Sequence, residues 1–200
     1  MNDPSAMIRA ATQTLIAHVD ELTQLDQAIG DGDHGLNMKR GALAIEAKLP
    51  EWQGRPLAEL LKATGLLCMS TIGGSSGPVF GTLLVTLAKE LPAEPGPADL
   101  SSALRAGIAA LTRLGKAEVG QKTLLDVLDP LQRVLAEPDP EGMVARARAC
   151  AFAAAEATAP MAATRGRSSF LGDRALGHVD PGSRSMALIV GAVCDTLESA

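Results

Sequence analysis

Aromatic side chains are scarce in this chain, at 2% of its 200 residues, and tyrosine does not occur at all. Strands are enriched in aromatic and β-branched residues, whereas alanine and leucine, which dominate here, favour helix. The composition therefore argues against a β-rich fold and predicts an all-α protein.

Disulfides, membrane spans and large basic patches are also missing from the sequence. Cys68, Cys150 and Cys194 are odd in number and far apart in apolar runs, so we expect free thiols in a reducing compartment. No apolar run approaches the ~20 residues that cross a bilayer, and the N-terminus lacks the features of a signal peptide, which predicts a soluble, cytoplasmic protein without a membrane partner. A net charge of -5 without a Lys/Arg-rich block argues against nucleic acid as a partner.

The length and the 46% hydrophobic content fit one domain over residues 1–200 with a full core. Helical periodicity and the Gly/Pro punctuation predict eight helices. Their approximate bounds are 5–25, 36–48, 56–72, 77–91, 98–115, 122–136, 140–164 and 182–198.

Short connections make successive helices antiparallel neighbours in a bundle or closed barrel, so alternate connections share one end of the fold. The connections at that shared end are 26–35, 73–77, 116–121 and 165–181. Because most of them are rich in Gly, Asp, Ser and Arg, we expect one composite site at one mouth of the bundle.

The segment 25–37 gathers Asp26, Asp31, Asp33, His34 and Asn37 among several glycines. Carboxylates this close repel one another unless a cation lies between them, and hard divalent cations prefer oxygen ligands. The segment therefore predicts a magnesium site, with a solvated Asp-Gly turn and a helix cap as the alternative. A dinucleotide fingerprint is excluded because no strand precedes the glycines, and an EF-hand is excluded because Ala42 stands at the twelfth position.

Two further loops predict phosphate binding. Glycines, Ser75 and Ser76 precede an apolar helix that has Pro78 in its first turn, which is typical of an anion cradle or, alternatively, of a simple N-cap. The segment 165–181 carries arginines that can bind phosphate oxygens. The alternative interpretation is a charged surface loop without a binding role. The length of this segment favours a functional role, because inert connections are usually shorter.

Taken together, these blocks resemble the nucleotide-binding L subunit of dihydroxyacetone kinase, DhaL, over nearly the whole chain. The matching blocks are Leu25-Asp26-x-x-Ile29-Gly30-Asp31-Gly32-Asp33-His34-Gly35-x-Asn37-Met38-x-Arg40-Gly41, Gly73-Gly74-x-Ser76-Gly77-Pro78-x-Phe80-Gly81-Thr82, Gly115-Lys116-Ala117-Glu118, Gly166-Arg167-x-Ser169-x-Leu171-Gly172 and Gly177-His178-x-Asp180-Pro181-Gly182. The resemblance implies an eight-helix antiparallel barrel that holds ADP or ATP at one mouth through two magnesium ions.

The same resemblance implies a role for individual residues. The implied metal ligands are Asp26, Asp31 and Asp33, and the implied catalytic residues are Arg167 and His34. The implied nucleotide contacts are His34, Gly35, Leu36, Asn37, Ser75, Ser76, Gly115, Leu124, Arg167, Asp180, Pro181 and Gly182. One departure is visible, since Val119-Gly120-Gln121 replaces the usual Pro-Gly-Asp of the family before Lys122.

The function implied is phosphoryl transfer to dihydroxyacetone or a related keto-sugar held on a partner K subunit. ADP would stay bound as a coenzyme, recharged by a phosphohistidine M subunit of the phosphotransferase system. The alternatives are an ATP-exchanging kinase subunit for another keto-sugar and a nucleotide-responsive module that docks on a partner such as a transcription regulator. A third hypothesis, a carrier of apolar ligands, ranks last because it does not account for the polar loops.

Overall fold

The computed structural model describes residues 3–199, and these form helices and connecting loops without a strand. The α-helices are α1 Pro4–Ala17, α2 Val19–Ile29, α3 His34–Lys48, α4 Leu57–Thr71, α5 Ser76–Glu90, α6 Pro97–Gly115, α7 Leu125–Leu135, α8 Met143–Glu156 and α9 Pro181–Glu198. Two 3-10 segments, Leu49–Trp52 and Arg167–Ala175, lie between them. The prediction of an all-α protein is confirmed.

The first expected helix, 5–25, is divided at His18, so the described residues contain nine α-helices where eight were expected. His18 has φ -106° and ψ 20°, and its ring Nδ1 lies 2.8 Å from the carbonyl oxygen of Thr14. The backbone N–H of His18 donates to that same oxygen at 3.1 Å. A side chain that bonds back to the preceding turn commonly bends a helix, and the hydrophobic periodicity does not reveal such a bend.

The helices pack in a closed order. Helix α3 contacts α1 and α4, each helix from α4 to α8 contacts the next, and α9 returns to contact α1. A single large core fills the space between them, with Leu22, Leu60, Val127 and Leu128 almost fully buried. This contact order is consistent with the expected antiparallel barrel.

Helices α4 and α5 approach each other closely because glycines face one another. A Cβ atom on Gly65 would lie 2.9 Å from the carbonyl oxygen of Gly81, and a Cβ atom on Gly81 would lie 2.7 Å from that of Gly65. Since no side chain separates the two backbones here, α4 and α5 can pack closely on either side of the loop that joins them.

The three cysteines are free, as the sequence predicted: Cys68 and Cys194 are buried and Cys150 is partly buried. Burial raises the pKa of the Cys68 thiol to about 12. In the part of the chain that the structure describes, no helix is long and apolar enough to cross a membrane.

Candidate functional site

A cavity of about 290 Å³ lies where four connections meet. Its walls come from the α2–α3, α4–α5, α6–α7 and α8–α9 connections, together with the helix ends beside them. These are the four connections that the alternation of helix direction places at one end. The structure therefore brings the polar loops to a single site.

Three carboxylates stand together at this cavity. Asp26, on α2, is buried, whereas Asp31 and Asp33 lie on the loop before α3. One oxygen of each lies within 4.8 Å of the others. The backbone N–H of His34 donates to Asp26 Oδ2 at 3.1 Å, which fixes this carboxylate at the start of α3. Three oxygen ligands at this spacing fit a hard divalent cation such as Mg²⁺.

Glycines let the loop fold around these carboxylates. A Cβ atom on Gly30 would collide with the Asp26 carboxylate, and Gly32 has φ +77°, a conformation that L side chains rarely adopt. The loop therefore takes a shape that few other residues would allow. Asp33 stands at the N-cap of α3 but its side chain makes no capping bond, so the helix-cap alternative does not account for this carboxylate.

Arg167, at the start of the second 3-10 segment, contacts the Asp31 carboxylate directly. Its guanidinium also lies 4.0 Å from the Asp33 carboxylate, and all three side chains are about half-exposed. In this structure the positive charge that the carboxylates require is supplied by Arg167.

His34 is buried between two serine hydroxyls. Its Nδ1 lies 3.2 Å from Ser76 Oγ, and its Nε2 lies 2.7 Å from Ser185 Oγ. Burial lowers the pKa of the imidazole and so favours its neutral form, although Asp26 and Asp33 oppose the shift. Sequence reasoning missed Ser185, because only the fold brings it next to His34.

The glycine-rich loop before α5 presents main-chain groups to the cavity. Neither Ser75 nor another side chain caps the first turn of α5, so the simple N-cap interpretation does not hold. Gly73 packs directly against the Asn37 side chain, where a Cβ atom would collide, and Gly74 has φ +63°. The free N–H groups at the start of α5 form a suitable site for an anion.

Lys122 is a second residue that the sequence did not single out. It is 1% exposed and adopts the left-handed conformation at φ +61°. Its Nζ donates to the carbonyl oxygens of Thr158, Ala159 and Met161 at 2.9, 3.1 and 3.3 Å. Lys122 therefore ties the α6–α7 loop to the chain that follows α8. Helix α8 itself ends at Glu156, before the expected residue 164, because Pro160 has no N–H to donate to the Glu156 carbonyl.

Asp180 caps the start of α9. Its Oδ2 accepts the backbone N–H of Ser183 at 2.7 Å and the Ser183 hydroxyl at 2.9 Å. Burial raises the pKa of Asp180 to about 6, against the lowering effect of these bonds and of Lys122. The N-cap places Pro181 and Gly182 on the cavity wall.

Two expected nucleotide contacts do not line the cavity. Gly35 packs against α2, where a Cβ atom would collide with the Val19 carbonyl and the Thr23 hydroxyl. Leu36 points outward and is 57% exposed. The other expected site residues do line it: Asp26, Asp31, Asp33, His34, Asn37, Ser75, Ser76, Gly115, Leu124, Arg167, Asp180, Pro181 and Gly182.

The sequence of this chain matches a known protein family. The family model of the DAK2 domain matches residues 28–195, which is most of the chain and includes all four cavity loops. The chain belongs to the DAK2 domain family. The predicted resemblance to the DhaL subunits is confirmed by the relatives within this family.

Two bacterial DAK2 relatives match most of the chain. The ADP-binding subunit DhaL of the PEP-dependent dihydroxyacetone kinase 1 of Listeria innocua is 38% identical over 176 residues, which cover 88% of this chain and 86% of that protein. The ADP-binding subunit DhaL of the PEP-dependent dihydroxyacetone kinase of Escherichia coli is also 38% identical, with 84% of each chain covered.

A solved structure shows the same fold. The dihydroxyacetone kinase of C. freundii in complex with AMP-PNP and Mg²⁺ has a TM-score of 0.76 and 27% identity to this chain. The match covers 96% of this chain and 33% of that kinase, so this chain spans about a third of its length.

The loop that contains Val119-Gly120-Gln121 is held by hydrogen bonds to its backbone. Asp126, on α7, accepts the backbone N–H groups of Gly120 and, at 2.7 Å, of Thr123. Gln121 Oε1 accepts the backbone N–H of Glu118 at 2.9 Å. One carboxylate from the following helix therefore holds this loop, and Gln121 makes a contact within its turn.

Proposed function

We propose that this chain, as one domain over residues 1–200, is the nucleotide-binding subunit of a kinase of the dihydroxyacetone type. It would transfer a phosphoryl group from a magnesium-bound adenine nucleotide to dihydroxyacetone or a related keto-sugar. The observation that carries the proposal is the placement of three aspartate oxygens within 4.8 Å, at a cavity that also receives the uncapped start of α5. Relatives that are named as ADP-binding kinase subunits support it.

The residues present fit the magnesium that this family implies. Asp26, Asp31 and Asp33 would hold the cations, and the family resemblance implies two magnesium ions. The three side chains together offer oxygen ligands of the kind that magnesium prefers. Bound magnesium would neutralise charge on the phosphates and so lower the barrier to transfer.

The protein's own groups would bind and orient the nucleotide. Ser75 and Ser76 line the cavity at the uncapped start of α5, and their main-chain N–H groups would donate to phosphate oxygens. Arg167, once displaced from Asp31, would turn to the phosphates and stabilise negative charge during transfer. Leu111 and Leu124 line the apolar part of the wall, where a base would pack.

The acceptor sugar would be brought by a partner subunit. A cavity of about 290 Å³ is at the small end of ligand sites, so it has room for part of a nucleotide and little more. Phe170, in the second 3-10 segment, is 90% exposed, and Val119, in the α6–α7 connection, is 50% exposed; both segments contribute residues to the cavity wall. Apolar side chains left in water at the mouth are suited to contact with a K-type subunit that holds the substrate.

The source of the phosphoryl group follows the relatives' names. The bacterial relatives are called PEP-dependent, which favours retained ADP recharged by a phosphohistidine M subunit of the phosphotransferase system. Exchange of free ATP is the second candidate, since the C. freundii kinase was solved with AMP-PNP. Denaturing the purified protein and measuring nucleotide in the supernatant separates the two: equimolar ADP supports the first, and an empty site supports the second.

The test of the proposed function is calorimetric titration of ADP, in the presence of Mg²⁺, into protein from which any retained nucleotide has been removed. The wild-type chain should bind one ADP, and Asp31→Asn should weaken binding by more than about 100-fold, because loss of mere supporting groups at metal sites already costs roughly 10–100-fold. Asp129→Asn is the matched control, since this aspartate lies on α7 and pairs with Arg133. Equal binding by Asp31→Asn and wild type would refute the proposal.

Transfer itself requires the assembled enzyme. The chain mixed with K and M subunits, PEP and the general phosphotransferase proteins should phosphorylate dihydroxyacetone, and omission of this chain should abolish the product. Tight ADP binding without any transfer in the complete mixture would instead favour a regulatory module that docks on a transcription regulator.

A further inference from the structure

Ser185 lies one turn into α9 and is fully buried, with no assigned part in the site. Its hydroxyl has two neighbours that can form hydrogen bonds. The Pro181 carbonyl oxygen lies 2.9 Å away and His34 Nε2 lies 2.7 Å away. On the other side of the imidazole, His34 Nδ1 reaches the Ser76 hydroxyl at 3.2 Å. The four groups form a continuous chain from the start of α9 to the start of α5.

The direction of this chain is fixed at one end. A carbonyl oxygen can only accept, so the Ser185 hydroxyl donates its proton to Pro181. The Ser185 oxygen must then accept from His34 Nε2, which makes Nε2 the protonated ring nitrogen. His34 Nδ1 is left as an acceptor, and the Ser76 hydroxyl donates to it.

The opposite tautomer is disfavoured by the Pro181 carbonyl. If His34 carried its proton on Nδ1, the Ser185 hydroxyl would have to give up its bond to Pro181 and donate to Nε2. The Pro181 carbonyl oxygen would keep the backbone bond that it accepts within α9, but it also faces the imidazole, where it favours a protonated nitrogen over a lone pair. This contact favours the proton on Nε2.

We propose that Ser185 is a positioning residue that sets the His34 tautomer and, through it, the orientation of the Ser76 hydroxyl. With its proton committed to His34, the Ser76 hydroxyl turns its lone pairs toward the cavity. There they would be available to a cation or to a hydrogen-bond donor of the ligand, while the Ser76 backbone N–H would be left for the phosphate. This inference rests on the proposed function and deepens it.

The same histidine connects the chain to the acid cluster. The His34 backbone N–H holds Asp26, while its side chain holds the starts of α5 and α9. His34 is therefore not free to exchange protons with a ligand in the cavity. The expected catalytic role of His34 is replaced, in this inference, by alignment of the three segments that surround the nucleotide.

The direct test is the tautomer of His34 in the ligand-free, full-length protein, measured by long-range ¹H–¹⁵N correlation at pH 8. The chain has three histidines, and His34→Gln identifies the signals of His34. We expect Nε2 protonated and Nδ1 unprotonated in the wild type. A proton on Nδ1 in the wild type would overturn the inference without any variant being needed.

Substitution shows whether Ser185 sets that state. Ser185→Ala should shift the His34 signals toward a mixture of tautomers. Ser101→Ala is the matched control, since Ser101 is 3% exposed and its hydroxyl bonds Gln132 between α6 and α7. It should lose comparable stability and leave the His34 signals unchanged. An unchanged tautomer in Ser185→Ala would overturn the inference.

A double-variant cycle on ADP binding in Mg²⁺ tests the link to Ser76. Ser185→Ala should weaken binding by roughly tenfold, in the range of other supporting groups behind metal sites. If it acts through the Ser76 hydroxyl, Ser185→Ala should add less than about twofold when Ser76→Ala is already present. Fully independent effects would overturn the inference. If the wild type failed to bind ADP, the proposed function would fail, whereas the tautomer measurement would still decide the role of Ser185.

Discussion

At the scale of single residues, the site holds its own counter-charge. Arg167 lies against Asp31 and near Asp33, where a divalent cation would bind. A guanidinium and a metal ion cannot share the same carboxylate oxygens. Arg167 must therefore leave the carboxylates when the cation arrives, and it then becomes available to phosphate.

Arg167→Ala should therefore change two affinities in opposite directions. Binding of Mn²⁺ alone should tighten by about 3- to 10-fold, because a competing positive charge is removed, whereas binding of ADP with Mg²⁺ should weaken by about tenfold or more. Electron paramagnetic resonance of free Mn²⁺ and calorimetry measure the two. Arg174→Ala, an exposed arginine of the same 3-10 segment, is the control and should change neither. Weaker binding of both Mn²⁺ and ADP in Arg167→Ala would contradict the displacement of Arg167 from the carboxylates by the cation.

Asp180 gives stability a defined pH dependence. Its pKa is raised from 3.8 in the unfolded chain to about 6 by burial, so the folded state binds a proton more tightly. Its contribution therefore favours folding at low pH and is lost as pH rises from about 4 to 6. Asp180→Asn should remove this dependence. Urea unfolding of both forms at pH 4.5 and 7, at constant salt, should show the variant gaining stability relative to wild type at the higher pH.

The neighbours of Asp180 set the size of this effect. Asp126 raises its pKa further, and Lys122 lowers it. A difference between variant and wild type that does not change with pH would show that the carboxyl titrates as in the unfolded chain.

The aspartates could be located from the sequence, because they are close together in one short loop. Ser185 and Lys122 could not, because their partners lie 151 and 36 residues away and no local pattern marks the contact. Gly35, by contrast, was expected from the sequence to contact the nucleotide, and the structure places it elsewhere. It lies inside the matching block, yet the local backbone turns it toward α2 and away from the cavity.

At the scale of helices, close contact between α4 and α5 depends on glycine. Gly81→Ala would place a Cβ atom 2.7 Å from the Gly65 carbonyl oxygen, so the helices must separate. We expect a loss of about 1–3 kcal/mol in the free energy of unfolding, as for other overpacked sites. Chemical denaturation measures it. Gly115→Ala is the control, because the nearest atom to its Cβ would be 3.9 Å away, and its stability should be near that of wild type.

Helix bounds were predicted best where proline or an acidic cap marks them. Helix α9 begins at Pro181 after Asp180, within one residue of the expected start, and α6 begins at Pro97. The expected start of α7 at 122 was too early, because Lys122 takes a positive φ to reach the carbonyls beyond α8. Periodicity carries no information about such a long-range contact.

At the scale of the whole molecule, nucleotide and metal should stabilise the fold. The cavity is built from four separate connections, and a ligand that binds only when they are together favours the folded state by mass action. ADP with Mg²⁺ at 100 times its Kd should add about 2.7 kcal/mol and raise the Tm by several degrees. Differential scanning calorimetry measures this, and ADP with EDTA is the control. An equal rise with EDTA would show binding that does not need the cation.

The arrangement of these connections was predictable, because it follows from the alternation of helix direction alone. The division of the first helix at His18 was not, since hydrophobic residues continue across it. The all-α class followed from composition, whereas the volume of the cavity depends on side-chain packing that no sequence pattern reports.

The closure of the helix order through α9 and α1 also affects how the chain can be reconnected. Asp3 and Ser199 border one shallow groove between these helices, so both ends of the described chain lie close together. A short Gly/Ser linker could join them, with a new start opened in the exposed proline-containing turn at 92–96. Such a circular permutant would keep every cavity loop intact, and it offers a place to fuse a reporter or tether without touching the nucleotide mouth.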